Sequence, residues 1–338
     1  MENLLHREVE IGGLRWSVIP MSVELRDVVI GGVRPGPETG RADRLYAEIH
    51  LPALLRSVVH LPVVEAEGIE LDLERYRDGS DNYFRTGRRP KGPRKQRFAV
   101  EVDSLSIADS RFSYDEEKTP FNFEGHGIRS TLVGIDEFRT RGRLTCERAR
   151  VDLPNARPYY VGLGVQVIMD QRGLDIVDSH VVSQELFGRV VGRVNWLFEE
   201  RLVELDITGE MSAQFAREVG YVNVPVEGRI QLRGAYSWRP GVWTVDGRFS
   251  SQQVSYAGRL FEGVEGHITA DKEQVMVQVD HSDFADGSIK GRVVVDRRVQ
   301  PRRTEIEVEG QNLDVPAILA ASSLPAMRLA GRGRGSVC

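Results

Sequence analysis

From Ile69 to Glu74 the chain alternates without a break: Ile69, Leu71 and Leu73 take one parity, and Glu70, Asp72 and Glu74 take the other. Successive side chains of a strand point to opposite faces, so this stretch makes a strand with one aliphatic face and one fully charged face. Asp78-Gly79 and Asp81-Asn82 follow it, and such residues turn a chain back. A strand with a wet face and an apolar face, then a turn, is the unit that most of the chain repeats.

Upstream, Glu8–Ile11 and Val23–Ile30 read as strand pieces joined across Trp16–Pro20, Arg34–Arg41 as a turn-rich loop and Leu45–His50 as a strand. Pro52–Val58 is an apolar turn, too short to stand alone as a helix and so obliged to pack on something. Phe98–Ile107 and Arg111–Tyr114 form a pair turned by Ala108-Asp109-Ser110, with Phe98, Val100 and Val102 on one face. The apolar parity slips at Ser104, which predicts a bulge there. Phe121–Glu124, Gly127–Val133, Asp136–Leu144 and Ala149–Leu153 continue as short strands.

In the middle, Val161, Leu163, Val165, Val167 and Met169 share a parity against Gly162, Gly164 and Gln166. Leu174–Val177, His180–Ser183, Gly188–Trp196 and Arg201–Gly209 follow, the last with Val203, Leu205 and Ile207 on one face. From Val226 the strands come regularly: Val226–Gly234, Val242–Phe249, Gln253–Leu260, Val264–Ala270, Val275–Asp280, Ser288–Asp296 and Thr304–Gly310. Met211–Val219 and Val315–Ala321 are the helix candidates, the first with Met211, Phe215 and Val219 at i, i+4 and i+8. Similar runs precede them, Glu204–Gly209 and Glu305–Gly310, about 100 residues apart against the roughly 20–50 of common solenoids. The spacing predicts a super-repeat of several strands and one helix.

Composition narrows the classes. The 338 residues are 41% hydrophobic and 28% charged, which excludes wholesale disorder, and 34 glycines suit many tight turns. A formal charge of −5 gives no general case for a nucleic-acid partner. Cys146 and Cys338 have neither disulfide-framework nor zinc spacing. No run approaches the roughly 18 apolar residues that would span a bilayer. The start lacks the apolar stretch of a signal peptide and the end stops as a strand begins, so the chain reads as a fragment. Residues 85–97 (RTGRRPKGPRKQR) form a basic loop, either a solvated insertion or a contact for anionic head groups.

No catalytic constellation stands out. There is no G-x-S-x-G elbow, Walker loop or H-E-x-x-H, and the histidines never fall at metal spacing. Asp78–Asn82 offers oxygen ligands but not the order of a calcium loop. The reading is a protein that is not an enzyme and needs no cofactor or metal. What stands out is geometric: strand after strand has an apolar face, and helices to cover those faces are scarce. The sheet must fold over itself as a sandwich, close as a barrel, or curve into a trough whose apolar inner face takes a ligand such as acyl chains.

Consecutive segments resemble the AsmA-like family, and within it the TamB-type translocation and assembly modules. Val23–Gly32 resembles the family's early strand, and Ala47–Leu55 its strand with a short apolar turn. Val64–Asn82 resembles the apolar strand leading into a D-G-x-x-N-like turn, and Phe98–Tyr114 the strand pair after a variable loop. The resemblance implies an all-β fold: an elongated, curved antiparallel β-sheet groove, taco- or solenoid-like, with a few short helices. It implies residues 1–155 as the N-terminal groove region and 156–338 as a repeated groove segment. It further implies a periplasmic protein attached to the inner membrane by an anchor absent from this stretch, carrying phospholipid between inner and outer membranes. The alternatives are assembly of outer-membrane or autotransporter proteins by strand pairing, with an outer-membrane β-barrel as partner, and a structural β-solenoid or adhesin. The expected lining of the lipid groove is Ile69, Leu71, Leu73, Val100, Val102, Leu163, Val165, Val167, Val203, Leu205, Ile207, Ile230, Leu232, Val293, Val295, Ile306 and Val308.

Overall fold

A computed structural model describes residues 8–31, 38–82, 99–117, 121–136, 139–152, 157–170, 173–195, 202–215, 226–256, 259–284, 286–298, 303–314 and 332–337. The chain divides into two compact units, Met1–Gln171 and Arg172–Cys338. Sequence reading divides it after residue 155. The structure keeps the next strand in the first unit, because that strand pairs along its length with the one before it. The fold is all-β.

Unit 1 holds β1 (Val9–Val18), β2 (Met21–Ile30), β3 (Gly40–Glu48), the single-turn helix α1 (Leu51–Leu54), β4 (Val58–Glu67), β5 (Glu70–Arg75), β6 (Ala99–Glu116), β7 (Phe121–Asp136), β8 (Arg139–Asp152) and β9 (Tyr159–Met169). Neighbours pair antiparallel, except that β4 and β5 both run parallel to β6. A parallel pair needs a long return connection, and the basic loop 85–97 belongs to it; that loop lies outside the described residues. Unit 2 is an antiparallel run of β10 (Gly173–Val182), β11 (Leu186–Asn195), β12 (Leu202–Ser212), β13 (Val226–Arg239), β14 (Val242–Tyr256), β15 (Arg259–Asp271), β16 (Gln274–Phe284), β17 (Gly287–Asp296), β18 (Arg303–Asp314) and β19 (Arg332–Val337).

A crease crosses unit 1. Asp27 (φ 50°), Gly68 (φ 62°), Asp109 (φ 48°) and Gly127 (φ 62°) all adopt left-handed backbone. They stand beside Gly12, Asp43 and Glu147: a Cβ on Gly12 would meet Asp27, one on Gly68 would come 2.9 Å from the Asp43 Cβ, and one on Gly127 would meet Glu147. Gly68 is therefore required twice, by its φ and by its neighbour. At the crease two successive residues share the polar face, and the apolar face resumes three positions on. Leu25 and Val28, Ala42 and Leu45, Ile107 and Ser110, and Cys146 and Ala149 are such steps.

Buried serines close the backbone at these irregularities. The Ser110 hydroxyl accepts from the Ile69 N–H (3.2 Å) and donates to the Ala108 carbonyl (2.9 Å). In unit 2, Ser179 accepts from the Val190 N–H and donates to the carbonyl of the same residue, and Ser251 donates to the Arg229 carbonyl. Each is less than a tenth exposed. The Asp78–Asn82 turn forms as its residues predict, with the Ser80 N–H donating to Asp78 Oδ1 (2.8 Å). Buried Asn82 then knits the edge of β5, accepting from the Glu74 N–H (2.7 Å) and donating to the Asp72 carbonyl (2.9 Å).

Several local expectations are corrected. Ala108-Asp109-Ser110 is no turn but the crease within one continuous β6, and Ser104 is not bulged, since the β4–β6 register runs evenly from Ala99 to Ala108. The short strands expected over residues 121–153 are two long ones, β7 and β8. Gln253–Tyr256 belongs to β14. The helix expected at Met211 is strand through Ser212, because Met211 pairs with Leu186 and Ile230; helical backbone occupies only residues 213–215 among those described. The candidate helix Val315–Ala321 lies outside the described residues.

Replacing Ser110 with Val, or Asn82 with Leu, leaves a buried backbone N–H without a partner. Each lowers the unfolding free energy by roughly 1–3 kcal/mol in urea titration, with the far-UV spectrum of the folded protein unchanged.

Candidate functional site: the apolar sheet faces

In an antiparallel ladder directly opposed residues project to the same side, so register decides which side chains share a face. In unit 2 one row runs Val190, Ile207, Gly234, Gly247, Ile268, Val277, Val293, Ile306 from β11 to β18. The row beside it runs Gly192, Leu205, Tyr236, Val245, Ala270, Val275, Val295. On the other side it is flanked by Gly188, Gly209, Leu232, Phe249, Gly266, Val279, Gly291, Val308. Val203 opposes Trp238 and Ile230 opposes Met211 in the same sense. All nine candidate lining residues of unit 2 therefore share one face. Glycines on it make room for larger neighbours: a Cβ on Gly266 would lie 2.6 Å from the Phe249 ring.

In unit 1 the faces are equally sorted. Leu71 and Leu73 oppose Phe112 and Tyr114, and Leu163, Val165 and Val167 oppose Cys146, Leu144 and Gly142. Gly142 again leaves room, here for Leu132 and Val167. Ile69 directly precedes β5, its N–H on Ser110. Val100 and Val102 stand apart. They oppose Val59 and Leu61 on the face away from Leu105 and Ile107, and are 66% and 44% exposed. The unbroken register through Ser104 is the reason.

The two faces differ in cover. Small residues are buried on the apolar side of unit 1 (Val28, Ala42, Ala66, Cys146, Ala149), while the large aliphatic ones, Leu71, Leu163, Val165, Leu205, Ile207 and Leu232 among them, are only half-buried. A face packed under a second sheet would be buried throughout. Burial pushes the Cys146 thiol up from its ordinary value, so it stays protonated and donates to the His126 carbonyl.

The opposite faces carry charge in cross-strand networks. Arg44 bonds Glu24, Glu65 and Glu67 across β2, β3 and β4. Arg111 bonds Glu124 and faces Asp72 at 3.5 Å, and the Ser113 hydroxyl donates to Asp72. The acidic side of β5 is thus partly neutralised by its neighbour strand. In unit 2 hollows of about 620 and 700 Å³ lie on the charged face, over Arg189, Arg233 and Arg248. His267 pairs with Asp280 and His60 with Asp103. Among the described residues no three His, Cys, Asp or Glu side chains gather as a metal site, and no helix is long and apolar enough to cross a membrane.

Comparison with protein-family models, curated proteins and solved structures finds no match for this chain. The sorting of the two faces is therefore the basis for any functional reading.

Hydrogen bonds from Arg26 and then Arg44 hold the Glu24 carboxyl below its ordinary 4.5, and Arg111 does the same for Glu124 against the opposing effect of burial. A carboxyl depressed in the folded state stabilises above its unfolded pKa, and that contribution is lost as pH falls through the folded pKa. The urea midpoint accordingly falls as the solution is taken below pH 4.5. Replacing Arg26 and Arg111 with Met lowers the midpoint at neutral pH and makes the acid fall shallower.

Proposed function

We propose that the apolar sheet face binds phospholipid acyl chains, in a non-enzymatic envelope protein of the AsmA-like, TamB-type kind. The observation that carries this reading is the register of β11 to β18, which aligns aliphatic side chains in adjoining rows and leaves most of them half-buried, with Ile306 and Val308 on β18 exposed. A patch of that extent, backed by charged rows, is what an aliphatic ligand needs and what a soluble surface otherwise avoids. Strands with small and large residues interleaved, such as Gly266 under Phe249, give a mostly aliphatic surface whose polar groups are few, the Tyr236 hydroxyl and the Trp238 indole N–H among them. The segment resemblance across Val23–Gly32, Ala47–Leu55, Val64–Asn82 and Phe98–Tyr114 supports the same assignment, with a periplasmic location and passage of lipid between the two membranes as its consequence.

The experiment is site-specific photo-crosslinking with a tail-labelled phospholipid. A photoreactive residue at Leu205 captures the lipid, and one at Asp206, on the next residue and the opposite face, does not. Equal capture at both positions, or none at either, overturns the proposal. Leu205→Arg and Leu232→Arg each abolish capture at Ile207 while the far-UV spectrum stays that of a sheet. A face that packs as a dry structural core would instead unfold on either change.

A further inference from the structure

β1 is an open edge of unit 1. Among the described residues it has one ladder partner, β2, and no strand pairs with its other side. Hydrogen bonds at the two ends of β2 fix which backbone groups of β1 are left over. The Ile30 carbonyl accepts from the Thr39 N–H (3.0 Å) and the Met21 carbonyl from the Ile49 N–H (2.9 Å), so both residues turn toward the β3 side. Directly opposed residues of an antiparallel pair either exchange bonds with each other or both face away. Val9 opposes Ile30 and Val18 opposes Met21, so both direct their N–H and carbonyl groups outward. Counting inward in twos from each end adds Ile11, Leu14 and Trp16.

The same residues carry the apolar side chains. Ile11 opposes Val28, Leu14 opposes Leu25 and Trp16 opposes Val23, all on the apolar face of unit 1. Leu14, Trp16 and Val18 are 64%, 74% and 63% exposed. Glu10, Gly12, Gly13, Arg15 and Ser17 take the other face, with the two glycines side by side because the crease crosses β1 there. Native edge strands are commonly blunted by proline, by inward-pointing charge or by short length. β1 has ten residues, no proline and no charge on its apolar side.

The order of residues along β1 specifies the strand that fits it. Read outward from the Gly12–Gly13 bond, the faces run polar, apolar, polar, apolar in both directions. A second β1, laid antiparallel about a two-fold axis at that bond, sets Gly12 against Gly13, Ile11 against Leu14, Glu10 against Arg15 and Val9 against Trp16. Every pair keeps both members on one face, and the outward-facing backbone groups fall opposite one another, so the ladder closes. A shift of one residue either way opposes apolar to polar side chains. Glu10 and Arg15 are exposed, and neither has an ion-pair partner among the described residues. Glu10 opposes Val29, and Glu24, which opposes Arg15, is held by Arg26 and Arg44.

We propose that two copies of this chain join through β1, paired antiparallel about a two-fold axis at Gly12–Gly13, with Glu10 of each copy on Arg15 of the other. Such an interface uses the same patch on both copies and closes at two. It carries the ladder and the apolar face of one unit 1 into the other. The pairing does not rest on acyl binding in unit 2, and capture of lipid at Leu205 by a monomer, or a dimer without capture, separates the two.

Sedimentation equilibrium of the full chain in lipid-free buffer tests it. The wild type shows a monomer–dimer equilibrium in the micromolar range. Glu10→Arg and Arg15→Glu each raise its dissociation constant about tenfold, because each opposes like charges twice across the axis. Mixing the two single variants restores the dimer, since every opposed pair then has opposite signs, and so does placing both changes in one chain. Leu14→Pro removes an outward N–H and spares the β1–β2 ladder, so it abolishes the dimer with the far-UV spectrum unchanged. On a Cys338→Ser background, Glu10→Cys forms a disulfide with Arg15→Cys and not with a second Glu10→Cys chain. A wild type that stays monomeric, single variants that fail to recover on mixing, or a Glu10→Cys chain that cross-links to itself overturns the proposal. So does assembly that continues past two copies, which would pair β1 of one copy with β19 of the next.

Discussion

Everything in unit 1 depends on the strands keeping in step where their alternation breaks. A slip of one residue in a strand moves its whole aliphatic set to the other face. Here β1, β2, β3, the β4–β5 junction, β6, β7 and β8 all break at neighbouring positions, along the line Gly12, Asp27, Asp43, Gly68, Asp109, Gly127 and Glu147. Because each strand inserts its extra residue where its neighbour does, the aliphatic side chains stay on one face on both sides of the crease. Arg129 reinforces the line, reaching Glu147 at 2.8 Å and Asp109 at 3.9 Å. The buried serine hydroxyl at Ser110 satisfies the backbone that the break releases, and the same solution recurs at Ser179, Ser251 and Ser282.

A coherent face of this kind has a cost and a use. Half-buried leucine and isoleucine side chains forgo part of the roughly 1.5–3 kcal/mol that each would gain by complete burial. The backbone ladder and the charged networks on the other side must hold the sheet without that gain. Arg44 and Arg111 each bridge three strands, and such shared cations tie neighbours together more firmly than isolated surface pairs do. In exchange the aliphatic face stays partly open, as the proposed acyl binding requires.

Much of this was legible in the residues. The parities of Val161 to Met169 and of Val203 to Ile207 mark the faces that the register confirms, and the Asp78–Asn82 turn folds as its side chains dictate. The misreadings share one source. Ala108-Asp109-Ser110 has turn-forming residues, but they serve a bulge, because six further hydrogen-bonded partners on β7 follow in line from Ile128 to Phe121. Met211, Phe215 and Val219 have helical spacing, yet Met211 lies between Leu186 and Ile230, whose ladder bonds outweigh a weak local preference. An Asp-Ser pair stands at the breaks at 109–110 and 178–179, but the same pair at 103–104 lies in an unbroken register, so the pair alone does not locate a crease.

The sequence by itself determined the class of fold and the two-faced character of each strand, since both follow from a period of two and from the polarity of single residues. Only the tertiary structure decided which faces coincide. Val100 and Val102 alternate as cleanly as Leu71 and Leu73, yet they project to the other side, because their parity is counted from the far side of the break at Asp109. Alternation is a property of one strand, whereas a shared face is a property of the register between strands. That register is set by hydrogen bonds to residues distant in the chain.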